Sequence, residues 1–224
     1  MKILKLVDER LSDYRLPTLM IVAVSCDWKC ARDAHFPESL CQNHQWKDVE
    51  PIDATPQEIY AAFVRNPITQ GLLFGGLEPF RQFDEMLDVI RYFRSQNSTA
   101  PIVIYTGYRE DEIKDEVLVL SGFPNIIVKF GRYVPRQAAH LDSVLGVKLA
   151  SDNQYAKLIS KELQMKTKLN PHEDRVRQIR EALKANGGYC PCRIDQTPDT
   201  KCPCKEFREQ KTPGECHCGL YVKE

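Results

Sequence analysis

The chain has 224 residues, 42% hydrophobic and 28% charged, and no apolar run approaches the roughly eighteen residues that a membrane-crossing helix needs. Its 31 Lys and Arg balance 31 Asp and Glu, and the isoelectric point lies near 6.9, so it carries no basic field for a nucleic-acid backbone or an anionic membrane. This length allows one large domain or a mid-sized domain with a small one, so the shifts of composition along the chain decide between them.

The first eight residues interleave charges with apolar side chains and lack the continuous apolar stretch of a secretory leader, which predicts a cytoplasmic protein. From about 18 to 160, short apolar runs alternate with amphipathic helical patterns. That is the βαβ signature of a parallel sheet covered by helices, so the fold class is α/β. Strands are predicted over 18–24, 71–74, 101–105 and 125–130, and a helix over 56–65. Phe80, Phe83, Met86, Leu87, Ile90 and Phe93 fall at helical spacing after Pro79, a residue suited to a first turn. From about 155 the chain turns charged and polar (Lys157, Lys161, Glu162, Lys166, Lys168), which predicts a last helix running into a connector. Asn170, Pro171 and Glu173 then punctuate a new helix, with Val176, Ile179 and Leu183 as its apolar stripe and Asn186-Gly187-Gly188 as its stop. The final 35 residues hold four prolines (Pro191, Pro198, Pro203, Pro213) and few large apolar side chains, so a metal or cluster must supply part of their folding free energy. The predicted boundaries are a first domain over 1–165, a linker over 166–172 and a second domain over 173–224.

Nine cysteines are placed unevenly. Cys26, Cys30 and Cys41 lie near the start; Cys190, Cys192, Cys202, Cys204, Cys216 and Cys218 crowd the end. Without a secretory leader, such clusters point to metal or redox sites and away from a disulfide framework.

In a parallel sheet, functional groups gather beyond the carboxyl ends of the strands. Cys26 and Cys30 follow the first predicted strand, Gly75-Gly76 the second, Thr106-Gly107 the third and Gly131-Arg132 the fourth. Three thiols beside glycine-rich strand ends suit an iron-sulfur cluster with three protein ligands and one open iron. The Cys26-x3-Cys30 loop, Gly75-Gly76-Leu77-Glu78-Pro79 and Tyr105-Thr106-Gly107-Tyr108 resemble the radical S-adenosylmethionine enzymes. Together with Gly131-Arg132-Tyr133 and Leu149-Ala150-Ser151-Asp152-Asn153-Gln154, they resemble above all the activating proteins of anaerobic (class III) ribonucleoside-triphosphate reductases. The likeness covers roughly residues 15–160.

This resemblance implies a partial (β/α) barrel and a three-cysteine [4Fe-4S] cluster whose open iron chelates S-adenosylmethionine. Reductive cleavage of that cofactor would place a glycyl radical on an anaerobic ribonucleotide reductase, with ferredoxin or flavodoxin as electron donor. Gly75, Gly76, Glu78, Thr106, Gly107 and Asn153 would bind the cofactor. The family's cluster loop is Cys-x3-Cys-x2-Cys, whereas Asp33 stands three residues after Cys30, and an extra residue, Leu77, precedes Glu78. Cys41 is therefore expected as the third ligand, with Asp33 and His35 as the remaining candidates.

The tail repeats one unit three times: Cys190-Pro191-Cys192, Cys202-Pro203-Cys204 and Cys216-His217-Cys218. Four thiolates fill a second [4Fe-4S] cluster and leave two for a redox-active dithiol. With Gly188-Tyr189, Glu206-Phe207-Arg208 and Gly219-Leu220-Tyr221, the tail resembles the catalytic subunit of ferredoxin:thioredoxin reductase over about 173–223, with a shorter spacing between its first two units. The resemblance implies a small, mostly helical module. Its ligands would be Cys190, Cys202, Cys204 and Cys216, its active disulfide Cys192 with Cys218, and its proton-managing neighbour His217. Cys192, expected nearer the surface, would attack the disulfide of a thioredoxin or glutaredoxin. Two rival readings accompany this one: a disulfide reductase with a degenerate first domain, and a zinc-binding redox sensor without turnover.

Overall fold

A computed structural model describes residues 1–160, 167–210 and 214–223. The chain separates into two compact units, Met1–Glu162 and Leu163–Glu224.

In the first unit six strands lie side by side in chain order: β1 (Lys5–Arg10), β2 (Thr18–Ala23), β3 (Gly71–Gly76), β4 (Ile102–Tyr105), β5 (Ile126–Phe130) and β6 (Tyr155–Leu158). β2 to β5 run parallel, and β1 and β6 are antiparallel edges. Nearly every residue of the four parallel strands is buried, as their near-continuous apolar sequence requires when both faces of a sheet are covered. Four helices join them: α1 (Lys29–Asp33), α2 (Pro56–Arg65), α3 (Phe83–Ser95) and α4 (Lys114–Leu120). Thr55 and Glu58 close a reciprocal capping box around the start of α2, with Pro56 in its first turn. Alternate strand residues then serve two cores. Leu19, Ile21, Leu72, Phe74, Ile104 and Val128 pack with Ile59, Met86, Ile90 and Phe93 of the helices. Met20, Val22, Leu73, Val103 and Ile127 face the other way, towards Leu4, Tyr14, Leu145 and Leu149.

Two features differ from the sequence expectation. Among the described residues the sheet does not close into a barrel, and it is wider than predicted because both antiparallel edges escaped notice. The stretch from 155 is also a strand and not a helix: Ala156 is buried between exposed Tyr155 and Lys157, a period of two, and its N–H donates to Asp142 Oδ2 at 2.9 Å. Lys161, Glu162 and Lys166 of the expected helix lie outside the described residues, and Lys168 lies in a strand.

The second unit holds α5 (Glu173–Ala185), α6 (Lys205–Glu209) and a three-stranded antiparallel sheet of β7 (Thr167–Leu169), β8 (Gly214–Glu215) and β9 (Tyr221–Lys223), with β9 in the middle. The expected mostly helical module is thus a mixture of helix and sheet, because strands of two or three residues are too short to show a period. Asn170 does not cap α5; its Oδ1 accepts from His172 N at 3.1 Å and turns the chain ahead of the helix. The predicted stop is in place, with Gly187 and Gly188 at φ 63° and 85°.

Phe93 has no exposed surface and packs edge-on against Tyr60 and Phe63, with ring centroids 5.0 and 5.3 Å away. Phe93→Ala is expected to reduce stability by about 3 to 5 kcal/mol in chemical denaturation, and a loss below about 1 kcal/mol would contradict this packing.

Candidate metal centres

The chain leaves β2 in a loop that carries Cys26 and leads into α1, where Cys30 sits; Cys41 follows after a further turn. All three thiols line one pocket of about 220 Å³, together with Gly75, Gly76, Glu78, Thr106 and Gly107 from the ends of β3 and β4. The structure therefore brings Cys41 to Cys26 and Cys30 across the intervening residues. Asp33 is engaged elsewhere, its Oδ2 accepting from Arg132 Nε at 2.9 Å, and His35 is exposed. Asn153 also falls outside the pocket: its amide donates to Arg132 O at 3.1 Å, and the residue lines a separate hollow with Arg109, Glu110 and Tyr155.

Two glycines have local reasons to be glycine. A Cβ on Gly107 would stand 2.7 Å from Cys30 Sγ, so the thiol occupies the space a side chain would need. Gly76 has φ +83°, and its Cβ would stand 2.4 Å from Val22 Cγ1 on the neighbouring strand.

Glu78 is buried and accepts three hydrogen bonds, from Thr106 Oγ1 (2.8 Å), Gly107 N (2.9 Å) and Phe80 N (3.2 Å). Burial nevertheless pushes its carboxyl up to about 7, against those donors and nearby Lys129. Lys129 is buried in the same pocket, and burial pulls it down to about 8 against the opposing influence of Cys30, Glu78 and Cys41. Burial also pushes Cys26 up to about 12, and it raises Cys30 although the Tyr133 backbone, Lys129 and Arg132 oppose it. Arg132 ties the loop to the strand ends: besides Asp33 it binds Glu112 Oε1 at 2.7 Å and the Gly107 carbonyl, and Lys29 Nζ reaches the same Glu112 oxygen at 2.5 Å. Sequence reasoning passed over Lys129 and assigned Arg132 no task. A single lysine within the buried run Ile126–Phe130 is the signal that could have marked the first.

In the second unit Cys190, Cys202, Cys204 and Cys216 line one pocket, together with Cys218, Phe207 and Tyr221; His217 lies at its exposed rim. Cys190, Cys204, Cys216 and Cys218 are buried and make up much of a core otherwise built on Val176, Phe207 and Leu220. Cys216 Sγ lies 3.5 Å from Cys218 Sγ and accepts from Tyr221 N at 3.2 Å. Cys192 is exposed and faces a different hollow, shared with Arg193, Ile194 and Lys205, which Cys204 also borders. All nine cysteines are free thiols, so the two expected to form the active disulfide are unpaired, one inside the pocket and one outside it. Burial pushes Cys218 up to about 12.

The donor chemistry of both pockets fits iron-sulfur clusters, which take thiolates on a surrounding shell. Among the described residues, no three His, Cys, Asp or Glu side chains gather as a single metal ion would require. No helix is long and apolar enough to cross a membrane among the described residues.

Comparison with known proteins gives two matches. Residues 19–154 match the family model of the 4Fe-4S single cluster domain, and residues 145–224 match that of the ferredoxin thioredoxin reductase catalytic beta chain. No curated protein and no solved structure matches the chain.

The raised carboxyl of Glu78 fixes the sign of a pH effect. A group whose pKa is higher when folded contributes its stability in full below its unfolded value of 4.5 and loses it as pH rises through 7. Between pH 4.5 and 8, the metal-free protein should lose about 3 kcal/mol more unfolding free energy than a Glu78→Gln variant; parallel profiles in urea titrations would refute the assignment.

Proposed function

The chain belongs to the 4Fe-4S single cluster domain family, and on that premise we propose that it is an iron-sulfur oxidoreductase with two working centres, one at each end of the polypeptide. The tail would reduce a protein disulfide, a reading supported by its match to the ferredoxin thioredoxin reductase catalytic beta chain. One observation carries it: four thiols at the expected ligand positions share one pocket, and a further thiol, Cys192, lies exposed in the adjoining hollow.

Cys190, Cys202, Cys204 and Cys216 would hold a [4Fe-4S] cluster, which supplies electrons singly. Cys192 presents its Sγ to the disulfide of a thioredoxin or glutaredoxin. Cys218, buried beside the ligand thiols, resolves the resulting mixed disulfide, and His217 at the rim holds a proton for the departing sulfur. Disulfide reduction takes two electrons, whereas ferredoxin or flavodoxin gives one at a time, so the active thiols need the cluster as neighbour.

At the front, Cys26, Cys30 and Cys41 would hold a second [4Fe-4S] cluster. Gly75, Gly76, Thr106 and Gly107 border the space left for S-adenosylmethionine, where close backbone approach is possible, and Glu78 lies buried among them. Reductive cleavage of that cofactor would serve hydrogen-atom abstraction from a glycine of an anaerobic ribonucleotide reductase. The walls of the pocket would keep water from the reaction.

Anaerobically reconstituted protein should contain about eight irons per chain and yield 5′-deoxyadenosine from S-adenosylmethionine on reduction. Cys192→Ser should keep its iron and its cofactor cleavage while losing disulfide reduction at least about 100-fold; joint loss of both activities would sink the two-centre reading. Cys41→Ser should fall to about four irons, whereas Asp33→Asn and His35→Ala should keep about eight, as measured by iron and acid-labile sulfide per chain.

A further inference from the structure

The front pocket concentrates acidic groups. Besides three thiols it contains the buried carboxyl of Glu78. Of the cations nearby, Arg132 is engaged by Asp33 and Glu112, Arg10 by Asp13, and Lys148 is exposed. Lys129 differs from all of these. It is only 6% exposed, lines the pocket, and lies over the Tyr105 ring with Nζ 5.6 Å from the centroid. Its Nζ donates to two backbone carbonyls, Thr106 O at 3.3 Å and Gly131 O at 3.1 Å, just past the ends of β4 and β5. These two bonds fix the ammonium in place at the pocket wall.

We propose that Lys129 is a positioning residue that sets the reduction potential of a cluster held by Cys26, Cys30 and Cys41, acting on it as a fixed positive charge. The inference rests on the reading of these three thiols as cluster ligands. A buried cation favours the reduced, more negative form of a nearby cluster, and it does so strongly where water is excluded and screening is weak. Two carbonyl anchors on separate strand ends keep that charge from swinging out to solvent. A lysine that only filled space or satisfied the two carbonyls would affect stability and leave the potential alone.

The test uses the full-length chain carrying Cys202→Ser, so that the front cluster alone is titrated, reconstituted with ferrous iron and sulfide. Dithionite titrations followed by electron paramagnetic resonance compare this parent with Lys129→Met and Lys129→Arg. The expected result is equal iron in all three, a more negative midpoint in Lys129→Met, and a midpoint near the parent's in Lys129→Arg. Equal iron with an unmoved midpoint in Lys129→Met overturns the inference and leaves the ligand assignment standing. If Lys129→Met fails to hold iron, Lys129→Arg decides. Retention of both iron and midpoint supports the charge, and loss of iron there too overturns it in favour of shape. A parent that binds no iron at the front shows instead that the ligand assignment is wrong, and the inference falls with it.

Discussion

Both units bury thiols where a thiol gives up its proton reluctantly. Cys26 at one end and Cys218 at the other are each pushed up to about 12 by burial, and neither has a cation bonded to its sulfur. Protonated, these groups are small, weakly polar side chains in a core; as thiolates they would be uncompensated charges. At Cys26 the proposed cluster would resolve the conflict, because iron replaces the proton and its charge compensates the thiolate, whereas Cys218, outside the proposed ligand set, is a thiol that burial keeps protonated. With the proposed ligands, ligation and folding would be coupled in both units, though not to the same degree.

In the second unit the coupling would be close. Its core has few large apolar side chains, chiefly Val176, Phe207 and Leu220, and cysteines fill most of the remainder. So small an apolar core leaves little margin over the conformational entropy of the chain, a difference that cross-linking by the proposed cluster would make up. The first unit stands on other ground. Helices and a six-stranded sheet enclose a large apolar core there, and the thiols occupy one end of that frame. Arg132 secures them by joining Asp33 on α1 to Glu112 and the Gly107 carbonyl, so the loop is tied down by protein groups alone.

How much of this could be read from sequence depended on the length scale of the signal. The four parallel strands and α2 and α3 were legible because apolar residues repeat over whole elements. β1 was not, since Lys5–Arg10 is a half-exposed edge rich in charge, and β6 was hidden because its four residues bury a single alanine between exposed Tyr155 and Lys157. The tail's sheet eluded prediction because its strands are two or three residues long. Cysteine spacing marked the thiols that line both pockets, yet spacing could not say which group lies with Cys26 and Cys30. That choice depends on Arg132 holding Asp33 from 99 residues away, a long-range pairing that no local pattern encodes. Asn153 lies outside the front pocket through a similar long-range contact, since its amide donates to the Arg132 carbonyl.

The two proposed centres would divide the work of sulfur in opposite ways. At the front every thiol faces the pocket, and Gly107 gives up its side chain so that Cys30 can lie against the strand end. The arrangement suits a site where protein sulfur holds iron and the reacting bond belongs to a small molecule. In the tail the proposed reaction needs one sulfur outside the enclosure, because a disulfide on another protein is reached only from the surface. Cys192 meets that demand through the chain around it: Cys190 N is fixed to Thr200 O at 2.9 Å, and two residues later the chain has turned outward beside Arg193 and Ile194. Cys218 stays behind with the buried set, 3.5 Å from Cys216. One residue between two cysteines is enough to place neighbouring sulfurs in different environments, so under the proposed assignment a Cys-x-Cys unit would provide both a ligand and a reactant from three residues of chain.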